Sequence, residues 1–290
     1  MKKNLLELVG NTPILFHNNL YLKLESFNLA GSIKDRVVLN IINQLEKDEY
    51  LQPGDTIIEA TSGNTGIALA LIGKIKGYNV TIVMPENMSD ERKKLIASYG
   101  AKLVLTPKNF GMNGAILTAE KLLKDNSYKS LNQFSSKYNV ETHELFTGPE
   151  ILKEFDSLDV LVCGIGTGGT IVGLSNFLKK HFKNLKVIGV EPFESSIIST
   201  GKKGPHQIQG IGAGFIPKIL DLKSIDQIIR VKSEDAISKT KKLISEGLSI
   251  GISSGAAICA AEEIEKDNKN KKILVICPDN HLKYVSVLYE

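Results

Sequence analysis

No stretch of this 290-residue chain approaches the ~18 uninterrupted apolar residues of a membrane-spanning helix. The N-terminus, MKKNLLELVGNTP, turns at Gly10 before an export signal develops, so a cytoplasmic protein is expected, with no membrane partner. Cysteine is scarce, and Cys163, Cys259 and Cys277 lack metal-site spacing. Each is expected as a reduced core residue. His17, His143, His181, His206 and His281 are scattered without an H-E-x-x-H pattern, so no metal site is expected. The chain also lacks a Lys/Arg run with interleaved aromatics, and its formal net charge of +4 is small for its length. Both facts argue against nucleic acid as a partner. There is no repeat of fixed period and no low-complexity segment.

What remains has the balance of an ordinary globular protein, with 42% hydrophobic and 23% charged residues and length enough for two cores. Strand-like apolar runs stand at 21–25, 56–60, 80–84, 102–106, 159–163, 186–190, 227–231 and 272–277. Helical stretches near 65–76, 89–99, 112–126, 169–182, 233–246 and 254–267 alternate with them. This alternation predicts an α/β fold of mostly parallel sheets, covered by helices on both faces. Two groups of about four strands predict two doubly wound lobes.

Ligands in such folds sit beyond the carboxyl ends of strands. Three glycine-rich turns are candidates: SGNTG (62–66), GIGTGGT (164–170) and GIGAG (210–214). The first two follow a strand and open a helix, which aims free N–H groups at an anion. Gly164, Gly166 and Gly169 also spell G-x-G-x-x-G, with Glu191 ending the next strand. That is a dinucleotide fingerprint, but it lies late in the chain. Thr167 and Thr170 in the same loop suit a terminal phosphate monoester, so a phosphate cradle for a smaller cofactor fits better.

The stretch LAGSIKDRVV (29–38) places a lysine awkwardly. Ser32 reads as an N-cap, Asp35 completes a capping box, and apolar residues then recur at helical spacing. Lys34 therefore falls in the first turn, where the helix dipole disfavours an ammonium by about 0.3–1 kcal/mol. Taken alone, these ten residues read as a surface lysine in a capping box. TSGNTG likewise reads alone as a turn and N-cap.

The set AGSIKDR, EATSGNTGIALA, MPENMSDERKKLIASYGA, GMNGAI, GIGTGGTIVG, GPHQIQGIGAGFIP and GISSGAA closely resembles the cysteine synthase (O-acetylserine sulfhydrylase) family, in the same order from about Leu5 to Tyr284. These are pyridoxal 5'-phosphate transferases of the tryptophan synthase β-like fold, fold type II. The resemblance implies that Lys34 is the Schiff-base lysine and later the general base, its proton affinity lowered by the helix field. Gly166, Thr167, Gly168, Gly169 and Thr170 resemble the phosphate cup. Asn64 resembles the partner of the cofactor's phenolic oxygen. Thr61, Ser62, Asn64 and Thr65 resemble the loop that takes the substrate carboxylate, with Gln133 as a further contact. Ser253, with Ser254 adjacent, resembles the residue facing the pyridine nitrogen. The two serines otherwise read as caps of the helix that follows.

The implied reaction is a ping-pong β-replacement through an aminoacrylate, making L-cysteine from O-acetyl-L-serine and sulfide. The resemblance further implies a larger cofactor-binding lobe, 1–39 with 147–290, and a smaller mobile lobe, 40–146, that closes on the carboxylate. It also implies a homodimer and docking of the C-terminal tail of serine acetyltransferase in the cleft. Several positions depart from the family pattern: Leu29 replaces a common proline, Ser136 replaces an asparagine, and Phe146-Thr147-Gly148 replaces Thr-Thr-Gly. The segment PDNHLKYVSV lacks the usual Gly-Glu-Arg-Tyr. These departures bear on substrate choice and leave three rival β-replacements in view: a sulfide-releasing cysteine lyase, a lanthionine former and a cystathionine β-synthase. A silent regulatory paralogue is more distant, because Lys34, Asn64 and the phosphate loop are intact.

Overall fold

The structure, a computed structural model, describes residues 2–61, 63–267 and 270–289. The chain opens with β1 (Ile14–His17) and β2 (Leu20–Leu24), followed by α1 (Lys34–Lys47). Next come β3 (Thr56–Ala60), α2 (Asn64–Lys76), β4 (Asn79–Pro85), α3 (Asp90–Ser98), β5 (Lys102–Thr106) and α4 (Gly111–Asp125). Two short helices follow, α5 (Lys137–Thr142) and α6 (Gly148–Glu154), joined by a wide π-type turn at His143–Thr147. The chain then runs through β6 (Val160–Gly164), α7 (Gly169–His181), β7 (Lys186–Pro192), α8 (Ile197–Thr200) and β8 (Gln227–Val231). It ends with α9 (Ser233–Ser245), α10 (Ile252–Lys266), β9 (Ile273–Cys277) and α11 (Val285–Tyr289).

The strands divide three and six rather than four and four. β3-β4-β5 form a parallel sheet, and the second sheet has the order β1-β2-β9-β6-β7-β8, parallel except at β1–β2. The sequence reading missed β1, whose side chains are half-buried or exposed, so its apolar alternation carries little signal. Its cue is the pair Asn18-Asn19, at φ +47° and +61°. Asparagine tolerates this left-handed conformation, which suits a tight hairpin turn.

Period-two alternation builds a core on each face of the large sheet. From β6, Val160 and Val162 join α9 and α10, while Leu161 and Cys163 join α6 and α7. β9 does the same, with Val275 on one face and Leu274 and Ile276 on the other. The small sheet is covered likewise. Ile57 and Ile82 pack with α1 and α2, and Ile58 and Val83 pack with α4. Each such side chain stabilises the fold by roughly 1.5–3 kcal/mol through burial. Cys163 and Cys277 are buried free thiols as expected, but Cys259 is only partly buried, on the flank of α10 toward α9, where its Sγ donates to Asp235 O at 3.7 Å. Among the described residues, no helix is long and apolar enough to cross a membrane.

Because β9 lies between β2 and β6, all parallel, the carboxyl ends of these three strands meet at one edge. There the chain delivers Lys34 after β2, the glycine loop after β6, and residues 278–284 after β9.

Candidate active site

Lys34 is the first residue of α1 and is held by its own approach segment. Ile33 N–H donates to Pro278 O at 2.9 Å, and Ser32 bridges to Asp279. The capping box forms in shifted register. Ile33 occupies the cap position, Ser32 Oγ accepts from Lys34 N at 3.3 Å, and the Asp35 carboxylate takes Ala30 N–H rather than Ser32 N–H. The approach segment is instead pinned one residue later, by Ile33 N–H on Pro278 O, so that Ile33 rather than Ser32 enters the cap position. Lys34 is half-buried, and burial lowers its pKa to about 8 against the opposing charge of Asp279. Desolvation is thus the leading cause of the shift, where the sequence reading placed the helix field. Burial likewise raises Asp35 to about 6, with the Lys283 cation opposing.

The glycine loop leads into α7, whose cap position is Gly168 at φ +86° with no side-chain cap. The first N–H groups of this helix therefore have no intrahelical partner. Side chains are excluded here: a Cβ on Gly166 would stand 2.5 Å from Gly210 O, and one on Gly169 would stand 2.0 Å from Asn139 Oδ1. Thr167 Oγ1 accepts from Asn139 Nδ2 at 3.1 Å and Gly169 N at 3.4 Å, leaving its own hydrogen to donate. Thr170 Oγ1 contacts His143 Nε2 at 3.2 Å, and His143 Nδ1 contacts Thr147 Oγ1 at 3.0 Å. Burial, together with the charges of Lys34 and Arg36, holds His143 well below the usual imidazole pKa, hence neutral. Backbone amides, a helix dipole and a free hydroxyl hydrogen form a donor set that fits a phosphate.

The loop after β3 supplies the second group. Ser62 lies outside the described residues. Thr61 Oγ1 accepts from Gly63 N at 3.3 Å, and buried Thr65 donates to Gln133 Oε1 at 2.7 Å. Gln133 is in turn held by Glu59, whose carboxylate also accepts from Leu131 N and Asn132 N at 3.2 and 3.3 Å. Asn139 Nδ2 donates to Gln133 O at 2.8 Å as well as to Thr167, tying this loop to the glycine loop. Asn64, the first residue of α2, donates from Nδ2 to Asp279 Oδ2 at 2.7 Å and accepts at Oδ1 from Lys283 Nζ at 3.1 Å.

Ser253 and Ser254 open α10 and are both buried. Ser253 Oγ lies 3.8 Å from where a Cβ on Gly210 would stand, on the side of the glycine loops, whereas the buried Ser254 Oγ has no hydrogen-bond partner among the described residues. Glu191, the acid of the dinucleotide fingerprint, is already committed. It accepts from Ile198 N and Ser199 N, both at 3.0 Å, and so caps α8.

Sequence reasoning missed several neighbours of the site. Buried Asp279 and Lys283 come from the segment noted only for departing from a pattern. Buried Arg92 on α3 reaches Gln209, and its guanidinium carbon stands 4.7 Å from the Tyr284 ring centroid. The usable signal was position: Pro-Asp directly follows an apolar strand, where ligand-binding residues gather.

A family model described as pyridoxal-phosphate dependent enzyme matches residues 5–279. The cysteine synthase of Staphylococcus aureus (strain N315) is 42% identical over 295 residues, covering 98% of this chain and 95% of its own. Among solved structures, a cysteine synthase from Entamoeba histolytica superposes with TM-score 0.94 at 41% identity, covering 100% of this chain and 91% of that one. A hydrogen sulfide-producing enzyme from Fusobacterium nucleatum superposes with TM-score 0.94 at 40% identity, covering 98% of this chain and 100% of that one.

Proposed function

We propose that this chain, which belongs to the pyridoxal-phosphate dependent enzyme family, makes L-cysteine by replacing the β-acetoxy group of O-acetyl-L-serine with sulfide. The observation that carries the reading is the convergence at one sheet edge of half-buried Lys34, whose charged form burial disfavours, with a glycine loop whose backbone N–H groups open α7. Pyridoxal phosphate, when bound, supplies the electron sink that acidifies the substrate Cα–H and lets the β-substituent depart. Lys34 would hold it covalently, with Gly166, Thr167, Gly168, Gly169 and Thr170 on its phosphate. Asn64 Nδ2 has a second hydrogen for its phenolic oxygen, and Ser253 Oγ would meet its pyridine nitrogen. A hydroxyl there is a weak partner compared with a carboxylate, and so favours elimination over transamination.

Lys34 Nζ, once released, takes the Cα proton and later returns it. Near-neutral basicity lets one amine do both at physiological pH. Thr61, Ser62, Thr65 and Gln133 would take the substrate carboxylate through the 61–66 loop. We propose that 40–146 then moves against 1–39 with 147–290 and excludes water. Separate apolar clusters beneath the two sheets support two lobes, with α1 crossing the boundary at 39/40, because its Val37 and Val38 pack in the small-sheet cluster together with Ile41 and Ile42.

The Fusobacterium nucleatum structure favours one second reading, in which cysteine is the donor and sulfide leaves. The departures at Leu29, Ser136, Phe146 and 278–287 replace neither Lys34 nor the glycine loop, although Pro278, Asp279 and Lys283 bear on the segment before Lys34, so the same first half-reaction serves either outcome. A cytoplasmic homodimer that docks a serine acetyltransferase tail is proposed from the resemblance, and sedimentation with and without that tail peptide tests both interactions.

The decisive experiment mixes the cofactor-loaded protein with O-acetylserine or cysteine, adds sulfide, cysteine or homocysteine, and identifies products by mass. Cysteine from O-acetylserine and sulfide is expected, and borohydride should leave the cofactor on the peptide containing Lys34. Turnover only with cysteine as donor would overturn the first reading in favour of the second. Unlabelled Lys34 would overturn both.

A further inference from the structure

Residues 278–284 join the three pieces of the site that lie far apart in sequence. Pro278 O receives Ile33 N–H, and Asp279 O receives Gly251 N–H at 3.0 Å, beside the start of α10. Lys283 Nζ donates to Ala30 O and Gly31 O, both at 3.0 Å, immediately before Lys34. Between the Asp279 and Lys283 side chains stands the carboxamide of Asn64.

An asparagine amide has a donor end and an acceptor end of nearly equal shape, so its orientation depends on its partners. Here the partners are of opposite kind. An ammonium has only donors, and it meets Oδ1; an ionised carboxylate has only acceptors, and it meets Nδ2. Turning the amide over would set oxygen against carboxylate and N–H against ammonium, in a place where both charged residues are buried. The Tyr284 hydroxyl donates to the same Asp279 Oδ2, which fixes the carboxylate in turn.

We infer that Asp279 and Lys283 are positioning residues that lock the Asn64 carboxamide in one orientation, presenting its second Nδ2 hydrogen to the site and thereby setting cofactor affinity. The inference rests on the proposed role of Asn64 toward pyridoxal phosphate. In this reading Asp279 and Lys283 act on the cofactor through Asn64, and because the Asp279 charge also faces Lys34, the coupling to Asn64 rather than the single-variant effect carries the test.

The test is a double-mutant cycle on the whole protein, with pyridoxal phosphate affinity of the apoprotein and the visible band of the loaded protein as readouts. Lys283→Met is expected to weaken pyridoxal phosphate binding by about tenfold or more, the scale of one charge-assisted hydrogen bond. It should also move the visible band to shorter wavelength. Lys283→Arg, which keeps a cationic donor, should recover most of both. In the Asn64→Ala background, the Lys283→Met effect should shrink by about fivefold or more, the signature of coupled residues. Asp279→Asn, which keeps the backbone bonds and the side-chain shape, runs in a parallel cycle and should couple in the same way. Thermal melts of the apoproteins show which variants fold, and if Lys283→Met does not, the Asp279→Asn cycle decides. An equal effect of Lys283→Met or Asp279→Asn in both backgrounds would overturn the clamp while leaving the proposed function standing. A wild type with no visible band would overturn both.

Discussion

At Lys34 the physics makes a pH-dependent prediction. Only the uncharged amine attacks an aldehyde, and burial brings its pKa to about 8. Capture of pyridoxal phosphate by apoprotein should therefore speed up about tenfold per pH unit below that value and level off above it. The growth rate of the visible band measures this, and a midpoint near that of an ordinary lysine would contradict it. Two residues on, Arg36 carries a different load. Its Nε and Nη2 donate to Glu25 at 2.6 and 2.9 Å, its Nη1 and Nη2 donate to Glu150 at 2.6 and 2.7 Å, and Lys23 Nζ donates to Glu150 at 2.8 Å. Two cations thus face two carboxylates. Arg36→Met would strand the buried Glu25 charge and should cost about 3–5 kcal/mol in chemical denaturation. Burial pushes the Glu150 carboxyl up, but bonds and charge from Arg36 and the bond from Lys23 outweigh it, holding the group at about 2. A depressed carboxyl stabilises the fold above its ordinary pKa of 4.5, and that gain is lost as pH falls toward 2. Glu150→Gln should flatten the pH dependence of stability across that window, and an unchanged acid limb would refute the assignment.

At the level of elements, the glycine loop and α7 depend on close approach. Gly169→Ala would drive a Cβ into the Asn139 carboxamide, which bridges Gln133 O and Thr167 Oγ1. Overpacking of this kind costs about 1–3 kcal/mol. It should also loosen both the phosphate cradle and the Gln133 loop, so weaker cofactor binding is expected alongside the lower stability. A stable variant with unchanged affinity would show that the loop has slack. The same elements show which parts of the fold were legible in the sequence. Buried parallel strands such as β6 and β9 are short apolar runs ended by glycine or proline, and they stand out in the chain. The stretch from α5 to α6 does not, because its buried side chains include Asn139, Thr142, His143 and Thr147, and its helices are six and seven residues long. Polar burial hides helical periodicity. The glycine turns stood out because residue type and strand-end position coincide there, whereas Lys34, ten residues past β2, read alone as a surface lysine and was given its role only by the family resemblance. Asp279, Lys283 and Arg92 were not legible, because their partners are brought to them only by the placement of β9 between β2 and β6 and by the approach of α3 to the C-terminal segment.

Across the whole molecule, polar contacts link the elements around the small sheet to the C-terminal segment, in addition to the packing of α5 against α1 and α7. Glu91 on α3 accepts from Ser286 N at 3.3 Å and Ser286 Oγ at 3.1 Å, and its neighbour Arg92 reaches Gln209 and Tyr284. α3 therefore rests against the C-terminal segment that also carries Asp279 and Lys283. Its Ile96 is buried in the same cluster as Ile67 of α2, so α3 is coupled to the helix that begins at Asn64. If the 61–66 loop takes the substrate carboxylate as proposed, binding there should pull on α2, and α3 must follow or lose that packing. Hydrogen exchange on Lys34→Ala protein loaded with pyridoxal phosphate tests this without turnover. Saturating O-acetyl-L-serine should slow exchange of residues 63–66 and 131–136, and should change exchange across 90–98 in the same concentration range. Ser286→Ala removes one of the Glu91 contacts and should raise exchange at 90–98 before any ligand is added, by about twofold or more for a bond of about 0.5–1.5 kcal/mol. Protection confined to the two loops, with 90–98 unmoved by ligand, would mean that the loop closes alone and the smaller lobe stays where it is.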